Sequence, residues 1–597
     1  MTDVHLQRFL ARLDRRSERL EARSKRLSWL RVGIFSVSAL GTILWWETDG
    51  RWAPAVLGLV VFLAVVRVHE ELARGILRTA TLRRIKAMRI ARRARDWEAL
   101  PPAFGVDAGE THAFSADLDI MGARGLHRLL DTSFSTGGAR KLASWLLETG
   151  SGPAADRQLL VRDLVPRPAF CDRIALESTV FSGPSARRFD GDVLLSWLGA
   201  SPDARMMRRI LAVLWALAAV NVLLVALHIA GLTGPLWAFS LVVYAAVYLM
   251  NGRYYNHLFD EAERLHYELE KLRPVLRLLE SRRFPRAQAL ENLLQGIRRD
   301  RPSRELRRVM WLAVAASAQK SEILRLVFNV LVPWDLHFAS RLERLKDALR
   351  EELPAWLTTV FTLEAAGSLA TYAALNPDAS FPDLLADGPG LEATGLGHPL
   401  VPREDLVRND LELTDPGTLA IVTGSNMSGK STYLRSVGLA VVMARAGGPV
   451  DALSLRLSDL RVFTSMGVTD SVTDGISFFY AEVRRLARLM EAVRGAEPGR
   501  VLVLIDEIFR GTNNRERLLG SRALIEEVIR RGALGLVATH DLDLVRLTEQ
   551  HPSARNLHFR EDVSGGRMVF DYLLRTGPCP TTNALKIMAM EGLPVVD

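Results

Sequence analysis

Residues Thr423 to Thr432 read T-G-S-N-M-S-G-K-S-T and contain the spacing G-x-x-x-x-G-K-S. That spacing suits phosphate chemistry. The backbone N–H groups of Gly424, Ser425, Asn426, Met427, Ser428 and Gly429 can wrap phosphate oxygens, and the N-terminus of a following helix adds positive potential. Lys430 is placed to reach the β- and γ-phosphates of ATP, Ser431 to offer its hydroxyl to Mg²⁺, and Thr432 to close the run. A chance Gly-rich turn would lack the right flanks. Here Leu419 to Val422 is apolar, as in a buried parallel strand, and Ser431 to Arg445 reads as a helix.

Two further stretches supply groups that such a loop needs. Val501 to Ile505 is a continuous apolar run, as in a central strand, and it ends in Asp506-Glu507. Asp506 can support the metal and Glu507 can polarise an attacking water. Leu534 to Thr539 leads to His540 in the same way. A lone histidine is usually structural, but at a strand end in a nucleotide-binding sheet it suits a γ-phosphate sensor. Asp470 to Glu482 joins a Gly-containing turn to a helix, with Ser477 near the helix N-terminus. That is a place to meet a phosphate, although an ordinary capped helix explains it equally well.

These groups occupy only the last third of 597 residues. The chain is 48% hydrophobic with a slightly positive mean hydropathy, high for a soluble enzyme. The net charge of +9 suits nucleic acid and anionic lipid alike. The two cysteines, Cys171 and Cys579, form neither a disulfide framework nor a metal pattern, so no disulfide partner is expected. No cleavable signal peptide is evident, because an Arg-rich stretch precedes the first apolar run.

Residues 1–29 predict a basic amphipathic helix, either solvated or lying on an anionic membrane surface. Residues 30–67 predict a first transmembrane hairpin, with a polar turn at Glu47 to Arg51; a buried soluble hairpin is the alternative. A basic helical linker spans 68–117 and a helical domain spans 118–209. A second hairpin covers 210–250, with Asn221 and His228 as helix–helix hydrogen-bonding groups. Residues 251–390 read as a helical, lever-like region broken at Pro274, Pro285, Pro302 and Pro333, and 391–597 as the α/β domain. Arg and Lys crowd the flanks of both hairpins and avoid their tips, which predicts a multi-pass protein of the cytoplasmic membrane with the α/β domain in the cytoplasm.

Together these residues resemble the MutS family of DNA mismatch-repair ATPases, a branch of the ABC-type ATPases. The phosphate loop matches at 423–432 and the acidic motif at Asp506, Glu507, Arg510, Gly511 and Thr512. Thr539-His540 also matches, as does the serine signature at Asp470, Gly475, Ser477, Phe479 and Glu482. Leu118 to Val165 resembles the family's core helices, and Phe570 to Pro594 its C-terminal pattern.

The resemblance implies a P-loop, ABC-type α/β ATPase with a mainly parallel sheet, preceded here by an all-α region with two transmembrane hairpins. It implies a homodimer in which Ser477 of one subunit completes the other's site, with Asn426 and His540 at the γ-phosphate and Glu507 and His540 as catalytic groups. It also implies DNA binding, with a role of the mismatch-repair type.

The departures are specific. The mismatch-reading domain would lie at the N-terminus with a Phe-x-Glu wedge; residues 1–117 contain none and hold the basic helix and apolar hairpin instead. Phe509 stands where the family has a glycine, and Leu406 and Val407 lie where it packs adenine. A membrane-anchored mechanical or signalling ATPase, in contact with membrane lipid and without mismatch recognition, is the alternative. An ATP-driven transporter is the weakest reading, because Asn221 and His228 offer little for a substrate path.

Overall fold

The computed structural model describes residues 3–45, 52–106, 109, 112–150, 152–180, 188–199, 204–251, 258–317, 329, 332–386, 388, 390–425, 427–467, 478–509, 513–564 and 567–579. Two helices of 42 residues, Asp3–Leu44 and Ala53–Ala94, open the chain. They run antiparallel: Ser24 meets the His69 ring at 2.9 Å, Arg31 meets it at 3.2 Å, and Asp14 pairs with Arg83. The basic segment and the apolar run that follows it are therefore one rod, not a surface helix followed by a separate span. Asp3–Leu44 contains no proline and is rich in Leu and Arg, so no strong helix breaker separates the two segments.

The apolar half of this pair is uncovered. Trp29, Phe35, Val37, Ile43, Leu57 and Val60 are all more than half exposed. By length and composition, the described residues hold two helices able to cross a membrane, Leu6–Leu44 and Arg205–Ile229, with Leu236–Met250 apolar but shorter. The four full spans expected from the sequence are thus not matched helix for helix.

The second apolar pair, Ala204–Ile229 and Leu236–Met250, presents Val222, Phe239 and Val242 outward. Its inner face docks on the helix Trp334–Leu349. Tyr244 donates to the Asn329 carbonyl at 2.7 Å, Tyr248 to Asp335 Oδ2 at 2.9 Å, and Trp215 meets His337 edge-on. The Asn221 side chain makes no hydrogen bond among the described residues, and His228 bonds the Thr233 carbonyl of its own turn. Neither ties helix to helix, because both tyrosines bind the helical body instead.

That body consists of short helices around Glu352–Leu375, which is buried along most of its length. Pro274 does not break its helix, Leu258–Ser281, as the sequence suggests. The loop before Thr136–Leu146 is held by Glu364, which accepts from Phe134 N at 2.8 Å, Ser135 N at 2.9 Å and the Ser135 hydroxyl. Ser135 caps that helix by accepting from Gly138 N. A Cβ on Gly138 would lie 2.5 Å from Glu364 Oε2, so only glycine permits this approach.

Burial pushes the Glu364 carboxyl up to about 8 from its ordinary 4.5, against the pull of its three donors. The folded chain then keeps a proton that the unfolded chain releases. Stability is greatest below this window, falls as pH rises through it and levels off above it. Glu364→Gln is expected to remove that slope. Melting temperatures of both proteins across the window test this; parallel profiles would mean that the carboxylate is charged in the fold.

Residues from Asp383 onward build two sheets. The smaller has the order β1 (Asp383–Leu384), β5 (Ser454–Leu457), β2 (Leu391–Leu396), β3 (Asn409–Leu413), and is mixed. The larger has the order β10 (Arg567–Thr576), β9 (Ala554–Ser564), β4 (Leu419–Thr423), β8 (Leu534–Ala538), β7 (Val501–Asp506), β6 (Arg461–Ser465). All its pairings are parallel except β9 with β10. β4, β7 and β8 are buried at every residue, which explains their unbroken apolar sequences.

Asp451 bolts the helices to the sheets. Its carboxylate, 1% exposed, accepts from Tyr372 at 2.6 Å and lies 2.9 Å from Arg403, 3.8 Å from Arg408 and 3.9 Å from Arg95. Asp451→Ala leaves the buried Arg95 without its carboxylate and Tyr372 without its acceptor, and is expected to cost about 3 kcal/mol. A fall in melting temperature checks this, and an unchanged value would contradict it.

Candidate functional site

The site grows from the carboxyl ends of β4, β7 and β8. β4 delivers the phosphate loop, which turns into the helix Lys430–Arg445. Gly424 has φ 145° and Gly429 has φ 108°, and a Cβ on Gly424 would sit 2.9 Å from the Phe559 carbonyl. Only glycine fits a backbone so turned and so closely approached. Met427 also takes a positive φ, 71°, and its side chain is largely exposed. Ser428 is buried within the loop. Lys430 is buried and donates to the carbonyls of Gly424 and Ser425, both at 2.8 Å. Burial lowers its pKa, while Asp506, Glu507 and Glu561 oppose that shift.

β7 brings Asp506 beside this loop, across the intervening β8. Ser431 donates its hydroxyl to Asp506 Oδ2 at 2.5 Å. The next residue, Glu507, has φ 60°, its amide bonds the Ala538 carbonyl at 2.9 Å, and its carboxylate meets His540 Nδ1 at 3.1 Å. His540 does not line the phosphate cleft. It lies in an adjoining recess of about 190 Å³ with Arg517, Ser521 and Asp541, and reaches the cleft through Glu507.

The cleft itself measures about 470 Å³. It is lined by Ser425, Gly429, Lys430, Ser431, Thr432, Asp506 and Glu507, and also by Leu406, Val407, His398 and Tyr572. Burial pushes His398 down to about 4, so that imidazole is neutral.

Two of these features escaped the sequence. Tyr572 sits in a bulge of β10 with φ 55°. Asn409 holds that bulge by donating to the Tyr572 carbonyl at 3.0 Å and accepting from Leu574 N at 2.7 Å. The ring is 43% exposed and stands over Gly429. Glu561 of β9 is buried and accepts from the Ser425 hydroxyl at 2.6 Å. The only sequence signal for either was a polar or aromatic residue interrupting a strand pattern.

Asn426 and Ser477 lie outside the described residues, as do Asp470, Gly475, Arg510, Gly511 and Thr512. What flanks them is informative. Phe509 occupies φ 57°, a left-handed conformation that favours glycine, and packs its ring where a Cβ on Gly520 would come within 2.7 Å of it. Its amide donates to Glu482 Oε1 at 2.7 Å. The loop after Glu507 is thereby tied to the helix Phe478–Arg494, whose Arg485 bonds Asp117 of the helical body at 2.5 Å.

A Gly-rich loop at a parallel-strand end, with a lysine, a hydroxyl–carboxylate pair and a further carboxylate, is a set of groups that suits phosphate and a divalent cation. Residues 420–596 match the family model described as MutS domain V. The chain is 36% identical over 242 residues to the "DNA mismatch repair protein MutS 2" of Halobacterium salinarum, covering 39% of this chain and 28% of that protein. It is 35% identical over 257 residues to the "DNA mismatch repair protein MutS" of Natronomonas pharaonis, covering 42% and 29%. Against the MutS 2 of Haloarcula marismortui it is 34% identical over 229 residues, covering 34% and 24%. The likeness to the MutS family lies in this C-terminal segment, and the matched region spans under a third of each of these relatives.

Proposed function

We propose that this protein binds Mg·ATP in the cleft between Lys430 and Tyr572 and hydrolyses it slowly, as a dimeric switch whose helical arms sit in a membrane. The observation that carries the reading is the Ser431–Asp506 bond at 2.5 Å beside Lys430. A hydroxyl and a carboxylate in contact form a hard-oxygen donor set that fits Mg²⁺. When bound, Mg²⁺ supplies charge neutralisation on the β- and γ-phosphate oxygens.

The chain's own groups do the rest. Lys430 holds the phosphates and the loop amides orient them. Glu507 accepts a hydrogen bond from the attacking water and aligns it, and His540 fixes the Glu507 carboxylate. Tyr572 offers its ring to the base, with Leu406 and Val407 lining the same cleft. Asn426 contacts the γ-phosphate, and Ser477 of the partner subunit closes the site, as the family resemblance implies.

The membrane half of the proposal rests on the uncovered apolar surface of the two helix pairs and on the arginines that flank them. In this reading both hairpin tips face away from the cytoplasm, and the α/β domain lies where ATP is. Alkaline carbonate extraction of membranes tests it. Retention in the pellet is expected, and release into the supernatant would refute integral insertion.

A second reading, DNA binding of the mismatch-repair type, is favoured by the names of the relatives. Binding of homoduplex and mismatched DNA by the solubilised protein, across a salt series, separates the two. A phosphate-contact mode predicts affinity falling steeply with salt and equally for both duplexes. Mismatch-selective binding would put the repair reading first, and no binding at low salt would leave the membrane switch alone.

A further inference from the structure

A cavity of about 600 Å³ lies away from the nucleotide cleft, between the second half of the helix Ala53–Ala94 and the helical body. Its apolar wall includes Leu77, Ile85, Met88, Phe104, Phe134 and Phe189. Its polar wall is Arg84, Arg89, Arg92 and Arg188, with Asp131 and Asp172. We propose that this cavity is a second binding site, for a small amphiphile that carries a phosphate-monoester head on an apolar body.

The charge balance points to an anion. Asp172 is held by Arg89 at 2.6 Å and also by Lys86 at 2.5 Å, and Asp131 by Arg188 at 2.7 Å. These pairs account for both carboxylates and leave positive charge in excess. Arg92 is buried and directs its guanidinium to the carbonyls of Leu129 and Asp131. Burial and the neighbouring Arg188 and Arg89 push its pKa down to about 10, and Asp131 only partly offsets them. Arg84 has no ion pair among the described residues. Ser133 Oγ is shut off from solvent and has no hydrogen-bond partner among them. A purely structural ion-pair cluster explains Arg89 and Arg188. It explains neither the surplus cations, nor the unpartnered hydroxyl, nor a space of ligand size with aromatic walls.

An occupant would touch two elements that reach the sheets. Arg95, at the end of Ala53–Ala94, bonds the Pro399 carbonyl at 3.1 and 3.2 Å. Thr132, beside the cavity floor, bonds Ser368 of the Glu352–Leu375 helix at 3.1 Å.

The full chain in phosphatidylcholine nanodiscs, titrated with 1-naphthyl phosphate, tests the site. Saturable one-to-one binding is expected, at least about tenfold tighter than inorganic phosphate or 1-naphthol. Arg84→Glu, at an exposed position, and Ala175→Trp, which fills the cavity, should each weaken it about tenfold or more while leaving the melting temperature unchanged. Absence of saturable binding to the native chain would overturn the proposal. So would binding that both variants leave intact, since the probe would then sit elsewhere, the nucleotide cleft included. A further arm adds phosphatidic acid to the nanodiscs. Displacement of the probe supports the site with a lipid headgroup as occupant, and binding without displacement supports it with a soluble phosphomonoester.

Discussion

Lys430→Ala is expected to abolish nucleotide binding at concentrations that saturate the native protein, with a loss of about 100-fold or more in affinity. Two effects combine. The ammonium is the buried cation at the cleft floor, and charge-assisted hydrogen bonds are worth roughly 1.5–3 kcal/mol each. Its two bonds to the Gly424 and Ser425 carbonyls also shape the loop, so removing them lets the amides turn away from a phosphate. A factor of 100 is about 2.8 kcal/mol, within what one or two such bonds supply. Equilibrium binding of a fluorescent ATP analogue measures it. An affinity within threefold of the native value would mean that the loop does not hold phosphate.

Glu507→Gln should keep ATP binding and lower turnover by about 10²–10³-fold. The position is not a structural one. Its carboxylate is partly exposed at the cleft edge and bonds His540 at 3.1 Å, whereas Asp506 beside it is buried against Ser431. A glutamine preserves volume and a hydrogen-bond acceptor but cannot take a proton, and a positioned general base contributes typically ~10²–10⁴-fold. The measurement pairs steady-state phosphate release with ATP binding on the same preparation. Equal loss of both would assign Glu507 to binding, and undiminished release would remove it from the reaction. Because His540 reaches the cleft only through Glu507, His540→Ala should have a smaller effect on turnover than Glu507→Gln.

The sequence by itself determined the place of the Gly-rich loop, the acidic pair and the strands that carry them. The reason is local: a loop that must wrap phosphate with its own amides needs glycines at fixed offsets, and a strand buried on both faces must be apolar throughout. β4, β7 and β8 meet that requirement residue by residue. It also located the two apolar helix pairs, since long runs without charge are visible without any packing.

Only the tertiary structure decided what those pieces touch. Tyr572 and Glu561 come from strands more than a hundred residues beyond the loop they face, and no spacing rule links them to it. The continuity of Asp3–Leu44 was hidden because its hydropathy changes midway although no proline interrupts the helix. Asp451, Glu364 and the arginine-walled cavity depend on groups brought together from distant segments. A buried charge is stable only where the fold supplies its partners, and the choice of partners is made by packing, not by local sequence.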